Sequence, residues 1–135
     1  MATQTPVSVR HLRLLWPGLN PSCPKWLHDR LNGDVTVQGC ITGIRLLEKD
    51  KTLFTLDDGF DVLVISCKTS NMKYTPSVGE SVQITGRCCS FKRQLQLWGN
   101  IIVPVDDCDE LAWCLELDDY WRTAAIDRRG KLASI

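Results

Sequence analysis

The chain has no run of eighteen apolar residues, so no transmembrane helix is expected and no membrane contact is assigned. Its opening stretch, MATQTPVSVRHLRLLW, lacks the apolar core of a signal peptide, and none is expected. The seven cysteines contain no C-x-x-C, their one adjacent pair is Cys88-Cys89, and the two histidines, His11 and His28, lie far from any cysteine pair. That spacing does not build a structural zinc site. There is no glycine-rich phosphate loop, no G-x-S-x-G and no H-E-x-x-H, so no catalytic constellation and no cofactor are expected. Net charge is missing too: 16 Lys+Arg cancel 16 Asp+Glu. Proteins that live on phosphate contacts are usually basic overall. The balance therefore disfavours a dedicated nucleic-acid binder while leaving room for a local basic groove.

What is present suits one domain of 135 residues, with 44% hydrophobic residues to bury and 24% charged residues to keep them dissolved. An odd number of cysteines without a secretory signal reads as reduced intracellular thiols, most of them small core hydrophobes. Residues 1–33 carry four of the six prolines and read as an arm with short helical pieces, one of them in PKWLHDRL; Trp16 and Trp26 are expected to pack. From Asp34 the period becomes two. DVTVQGCITGI, TLFTL, FDVLVISC, ESVQITGRCCSF and LQLWGNIIVPV read as five strands. Gly39 and Gly43 mark a bend or bulge in the first of these, DDG at Asp57–Gly59 is a hairpin signal, and Thr69–Gly79 is a long polar connection. Five strands in this order, with a bent first strand and a wide gap between the third and fourth, predict a mainly-β, five-stranded OB-fold Greek-key barrel. Alternation predicts a core of Val35, Val37, Ile41, Val62, Val64, Val82, Ile84, Ile101 and Val103, with Cys88 inward and Cys89 outward.

A C-terminal helix is expected over 108–122, capped by Asp107 with Glu110 three residues on. The domain then spans 34–122, and 123–135 reads as a flexible tail. Trp113, Cys114, Leu117, Tyr120 and Trp121 share one broad helix stripe, more apolar surface than a plug for a small barrel needs. These five are the candidate partner-binding residues, since tryptophans are over-represented among interface anchors. Leu111 and Leu115 are expected to hold the helix to its own barrel, leaving Trp113 at the stripe edge to receive a third protein. The competing reading is that Trp113 and Trp121 fold back on the domain.

VTVQGCIT, TLDDGFDVLV, PSVGESVQITGRC and above all AWCLELDDYWR resemble the RecQ-mediated genome instability protein 2 family, the small subunits of the RMI complex. The likeness covers roughly Asp34–Arg122. It implies a nuclear, non-catalytic OB subunit that pairs, through terminal helices, with an OB domain of the larger RMI subunit. It further implies assembly with topoisomerase III and a RecQ (Bloom-type) helicase in dissolving double Holliday junctions, with DNA contact weak or indirect. The same plan is shared by single-stranded-DNA binders of the replication protein A or telomere-capping type. For that alternative the candidate nucleic-acid face is Arg45, Arg87, Phe91, Lys92, Arg93 and Trp98, with Lys49 and Lys51 nearby: aromatics to stack bases and cations to follow phosphates.

Overall fold

The computed structural model describes residues 5–23, 30–106 and 109–133, backbone only at 109 and 124–133. Six strands share one sheet: β1 (Thr5–Pro6), β2 (Val35–Leu47), β3 (Lys51–Asp57), β4 (Val62–Lys68), β5 (Ser81–Phe91) and β6 (Gln94–Pro104). Their order is β1-β2-β3-β4-β6-β5, and β2 also pairs with β5, which closes the barrel. The β4–β6 pairing is parallel and the other pairings within the barrel are antiparallel. Strands β2 to β6 are the five expected, in an OB arrangement.

The long β2 makes closure possible by changing partners along its length. Val35–Cys40 pair with β5, and Cys40–Leu47 pair with β3. The register slips between Ile41 and Gly43, next to where the internal glycines signalled a bend. Gly39 is required at the change-over: a Cβ there would sit 2.5 Å from the Asp57 carbonyl oxygen.

Val35, Val37, Ile41, Val82 and Ile84 are fully buried, as alternation predicts. The phase expected for β4 is wrong. Val62 is 40% exposed, and Leu63, Ile65 and Cys67 point inward instead. The cause is cross-strand pairing: Leu56 faces Leu63 and Phe54 faces Ile65. This orientation buries the bulkier set, each such side chain worth about 1.5–3 kcal/mol. The second half of β6 is also corrected. Leu95 and Leu97 are buried, but Ile101 and Val103 are 53% and 41% exposed. Gly86 pairs with Gly99 and Thr85 with Ile101, so Asn100 is an extra residue, and this bulge reverses the alternation after it.

Residues 5–16 are not an appendage. β1 pairs in parallel with β2 at Val35 and Thr36, and the Val7 N–H donates to the Thr36 carbonyl. Helix α1 (Val9–Leu15) starts at Ser8, whose hydroxyl accepts from the His11 N–H. The α1 start is tied to the β3–β4 turn, where the Val9 N–H donates to Asp58 at 2.8 Å. Arg13 adds an ion pair with Asp61 at 3.0 Å and a bond to the Val62 carbonyl. Val7, Val9, Leu12 and Leu31 are fully buried, and Trp16 is buried as expected. Most of the helical piece expected in PKWLHDRL lies outside the described residues.

The C-terminal segment from Asp106 forms a separate compact unit. Its helix α2 runs Asp109–Ala133, so the expected stop at Arg122 and the flexible tail beyond it are corrected. Thr123–Ala133 has no proline and is rich in alanine, arginine, lysine and leucine, which propagate a helix. The expected cap at Asp107 lies outside the described residues.

Candidate nucleic-acid interface and terminal helix

Residues paired directly across strands share a face of the sheet. On the outer face, Arg45 pairs with Leu53, Leu53 with Ser66, Ser66 with Trp98, and Trp98 with Arg87. Three of the six candidate nucleic-acid residues, Arg45, Trp98 and Arg87, therefore fall on one transverse row spanning five strands. Phe91 stands on the same face, since Arg87, Cys89 and Phe91 alternate with inward positions. Trp98 is 41% exposed and Phe91 58%. Gly86 holds the hairpin tight beside the row: a Cβ there would meet the Trp98 carbonyl oxygen at 2.1 Å.

Lys92 and Arg93 form the two-residue β5–β6 turn, both with positive φ (52° and 64°), the mirror-image turn that suits a twisted hairpin. The Lys92 ammonium sits 5.4 Å from the centre of the Phe91 ring, which joins the turn's charge to the aromatic face. Arg87 is not fully available, because its guanidinium pairs with Asp34 at 3.2 Å. Arg45 and Arg93 have no ion-pair partner among the described residues. Sequence reasoning missed Leu53, Ser66 and Gln96 on this face. The Ser66 hydroxyl donates to the Gln96 side chain, so both are held by the floor of the row. The signal for Leu53 was in TLFTL, where putting Phe54 inward necessarily turns Leu53 outward.

Burial holds the thiols of Cys67, Cys88 and Cys89 toward the neutral form. Burial raises Cys67 to about 11, opposed by a hydrogen bond from the Gly99 N–H. Burial, with some help from Cys89, raises Cys88 to about 12. Burial also raises Cys89, while the nearby Lys51 ammonium pulls it back down. Among the described residues no cluster of histidine, cysteine and acidic side chains could hold a metal ion.

On α2, Leu111 and Leu115 are 69% and 62% exposed and Trp113 is 7% exposed. Cys114 is exposed, and Leu117, Tyr120 and Trp121 are half-buried. Tyr120 and Trp121 meet edge to face with centroids 5.5 Å apart. Asp118 and Arg122 form an exposed i,i+4 pair at 2.7 Å, a contact of small energetic weight.

No family model matches the chain, and no curated protein does. Solved structures do. One chain of the S. pombe Stn1-ten1 complex superposes with a TM-score of 0.74 at 18% identity, covering 96% of this chain and 99% of that one. A chain of a replication protein A heterotrimer bound to ssDNA gives 0.75 at 15% identity, covering 91% and 98%. A chain from the yeast Stn1 and Ten1 structure gives 0.68 at 20% identity, covering 93% and 76%. At these identities the likeness is one of fold, and the fold is the OB barrel with a C-terminal helix.

Proposed function

We propose that this protein is a non-catalytic, nuclear OB-fold subunit of a heteromeric assembly that handles single-stranded DNA. Its outer face lends a partial binding surface, and α2 pairs with a larger OB-domain protein. The observation that carries the reading is the Arg45–Leu53–Ser66–Trp98–Arg87 row, with Phe91, Lys92 and Arg93 beside it. Cations at the ends follow phosphates, and Trp98 and Phe91 stack bases, each stack worth about 1–3 kcal/mol. Two stacks and a few cations on a chain of zero net charge make a weak site. That suits a subunit whose partner completes the surface better than a free-standing binder. The structural matches agree in kind: one comes from the S. pombe Stn1-ten1 complex and one from a replication protein A heterotrimer bound to ssDNA. The narrower role expected from the sequence, beside a RecQ helicase and topoisomerase III, rests on the resemblance of VTVQGCIT, TLDDGFDVLV, PSVGESVQITGRC and above all AWCLELDDYWR, and the proposal does not need it.

The test is fluorescence anisotropy of a labelled oligothymidylate with the full chain at two salt concentrations. Weak, salt-sensitive binding is expected, and Trp98→Ala should weaken it about tenfold, the equivalent of roughly 1.4 kcal/mol. Binding unchanged by Trp98→Ala, or by the second substitution Arg45→Glu, overturns the reading.

A further inference from the structure

β6 is only half covered along its β4 edge. β4 pairs with it through Val64–Ser66 against Gln96–Trp98 and no further. Cys67 and Lys68 pair only with β3, and beyond Lys68 the chain leaves the sheet in a single 3-10 turn, Thr69–Asn71. The other edge of β6 stays paired with β5 through Pro104. Between β6 and the departing segment lies a cleft of about 420 Å³, lined among others by Cys67, Met72, Tyr74, Asn100 and Ile102. Among the described residues no backbone hydrogen bond joins residues 99–103 of β6 to the connection 69–80. The Gly99 N–H is directed to the Cys67 sulfur, which leaves the run from Asn100 to Val103 as the open edge. Such an edge beside exposed Ile101 and Val103 is a template for pairing unless something covers it.

The charges around the cleft say what the cover is. Lys68 and Lys73 stand exposed at its rim with no carboxylate partner among the described residues. The acids within reach are already engaged: Asp50 accepts from Ser70, and Glu80 accepts from the Tyr74 hydroxyl and the Ser77 N–H. We propose that the open edge of β6 at Asn100–Val103, with the cleft beside it, takes an extended acidic and apolar segment of another protein by strand addition. Main-chain hydrogen bonds complete the edge, one set of alternating side chains fills the cleft, and carboxylates meet the two lysines. A nucleic acid would satisfy the lysines but has no peptide ladder to offer the strand. The site lies beside the half of β6 beyond the Trp98 row, so it stands or falls independently of that row.

The experiment uses the full chain and a fluorescein-labelled peptide of about ten residues alternating valine and glutamate, a length set by the usual span of a strand. The peptide is expected to bind and to slow amide hydrogen exchange at Asn100–Val103. A version N-methylated at alternate amides, and the exposed double change Lys68→Glu with Lys73→Glu, should each weaken binding at least about tenfold. The proposal is overturned if the N-methylated peptide binds as tightly or if charge reversal changes nothing. It also falls if the parent peptide fails to bind at millimolar concentration, or if a short oligothymidylate protects these amides and the peptide does not.

Discussion

The barrel has two tight hairpin turns, each with two consecutive residues of positive φ, and opposite support. Glu48, Lys49 and Asp50 join β2 to β3, the last two with φ of 64° and 61°; Lys92 and Arg93 alone join β5 to β6 with 52° and 64°. Neither turn has the glycine that left-handed backbone favours, so each stores strain of roughly 1–2 kcal/mol per residue. In the first, Asp50 is clamped: its carboxylate accepts from the Ser70 N–H at 2.8 Å and the Ser70 hydroxyl at 2.5 Å, and its carbonyl accepts from the Thr69 N–H. In the second no side chain reaches across to hold the turn among the described residues, and the β5–β6 ladder alone imposes it. The clamped turn shapes the barrel by gathering the end of β4 to the start of β3. The unclamped one places two cations where glycine would be easier.

Three substitutions sharpen the contrast. Asp50→Ala removes both carboxylate bonds and keeps the strain, so a loss of about 2 kcal/mol is expected in urea unfolding. Asp50→Gly, which relieves the strain but loses the clamp, should lie between it and the parent. Arg93→Gly has the opposite sign. It should raise stability by about 1 kcal/mol in the same assay. It should also lower the salt dependence of oligothymidylate binding by about 0.7 in log–log slope, the share of one lost phosphate contact. A destabilised Arg93→Gly protein would mean that the second turn is clamped after all. The smallest effect links the two hairpins. Lys51 follows the first turn, and its charge holds down the Cys89 thiol near the second. Lys51→Met should raise that pKa further, and the pH profile of iodoacetamide labelling of Cys89, followed by mass spectrometry, should move to higher pH. An unshifted profile would separate the two ends.

The same thiols set an alkaline limit. Cys67 and Cys88 hold their protons to about 11 and 12 in the fold, against an ordinary 9.0. Above pH 9 the unfolded chain therefore binds fewer protons than the native one. Stability is fully present below that pH and falls as pH rises toward the folded values.

Strand existence and order were legible because period-two alternation survives in VTV, TLFTL and SVQITG, and because glycine falls where the backbone crosses itself. Phase was legible only where one face is clearly polar. FDVLVISC is apolar on both phases, and nothing local chooses Leu63 and Ile65 over Val62 and Val64; the choice is made by Phe54 and Leu56 on the neighbouring strand. On the candidate face, Trp98 could be placed outward from its neighbours, but its alignment with Arg45 and Arg87 depends on four pairings, one of which, Ser66–Trp98, is distant in sequence. The docking of residues 5–16 left almost no local trace, because β1 is two residues long and its partner lies about thirty positions on. On α2 the existence of a helix was legible, but its continuation to Ala133 was not.

Asn100 gives the sheet a parity. A pleated strand is a two-state counter, and one additional residue resets the count for everything after it. Leu95 and Leu97 are read on the even side of that counter and face the interior. Ile101 and Val103, which share their alternation in the sequence, are read on the odd side and face solvent. The open surface of the last strand thus owes its greasy character less to the kinds of residue encoded there than to the length of the message between them.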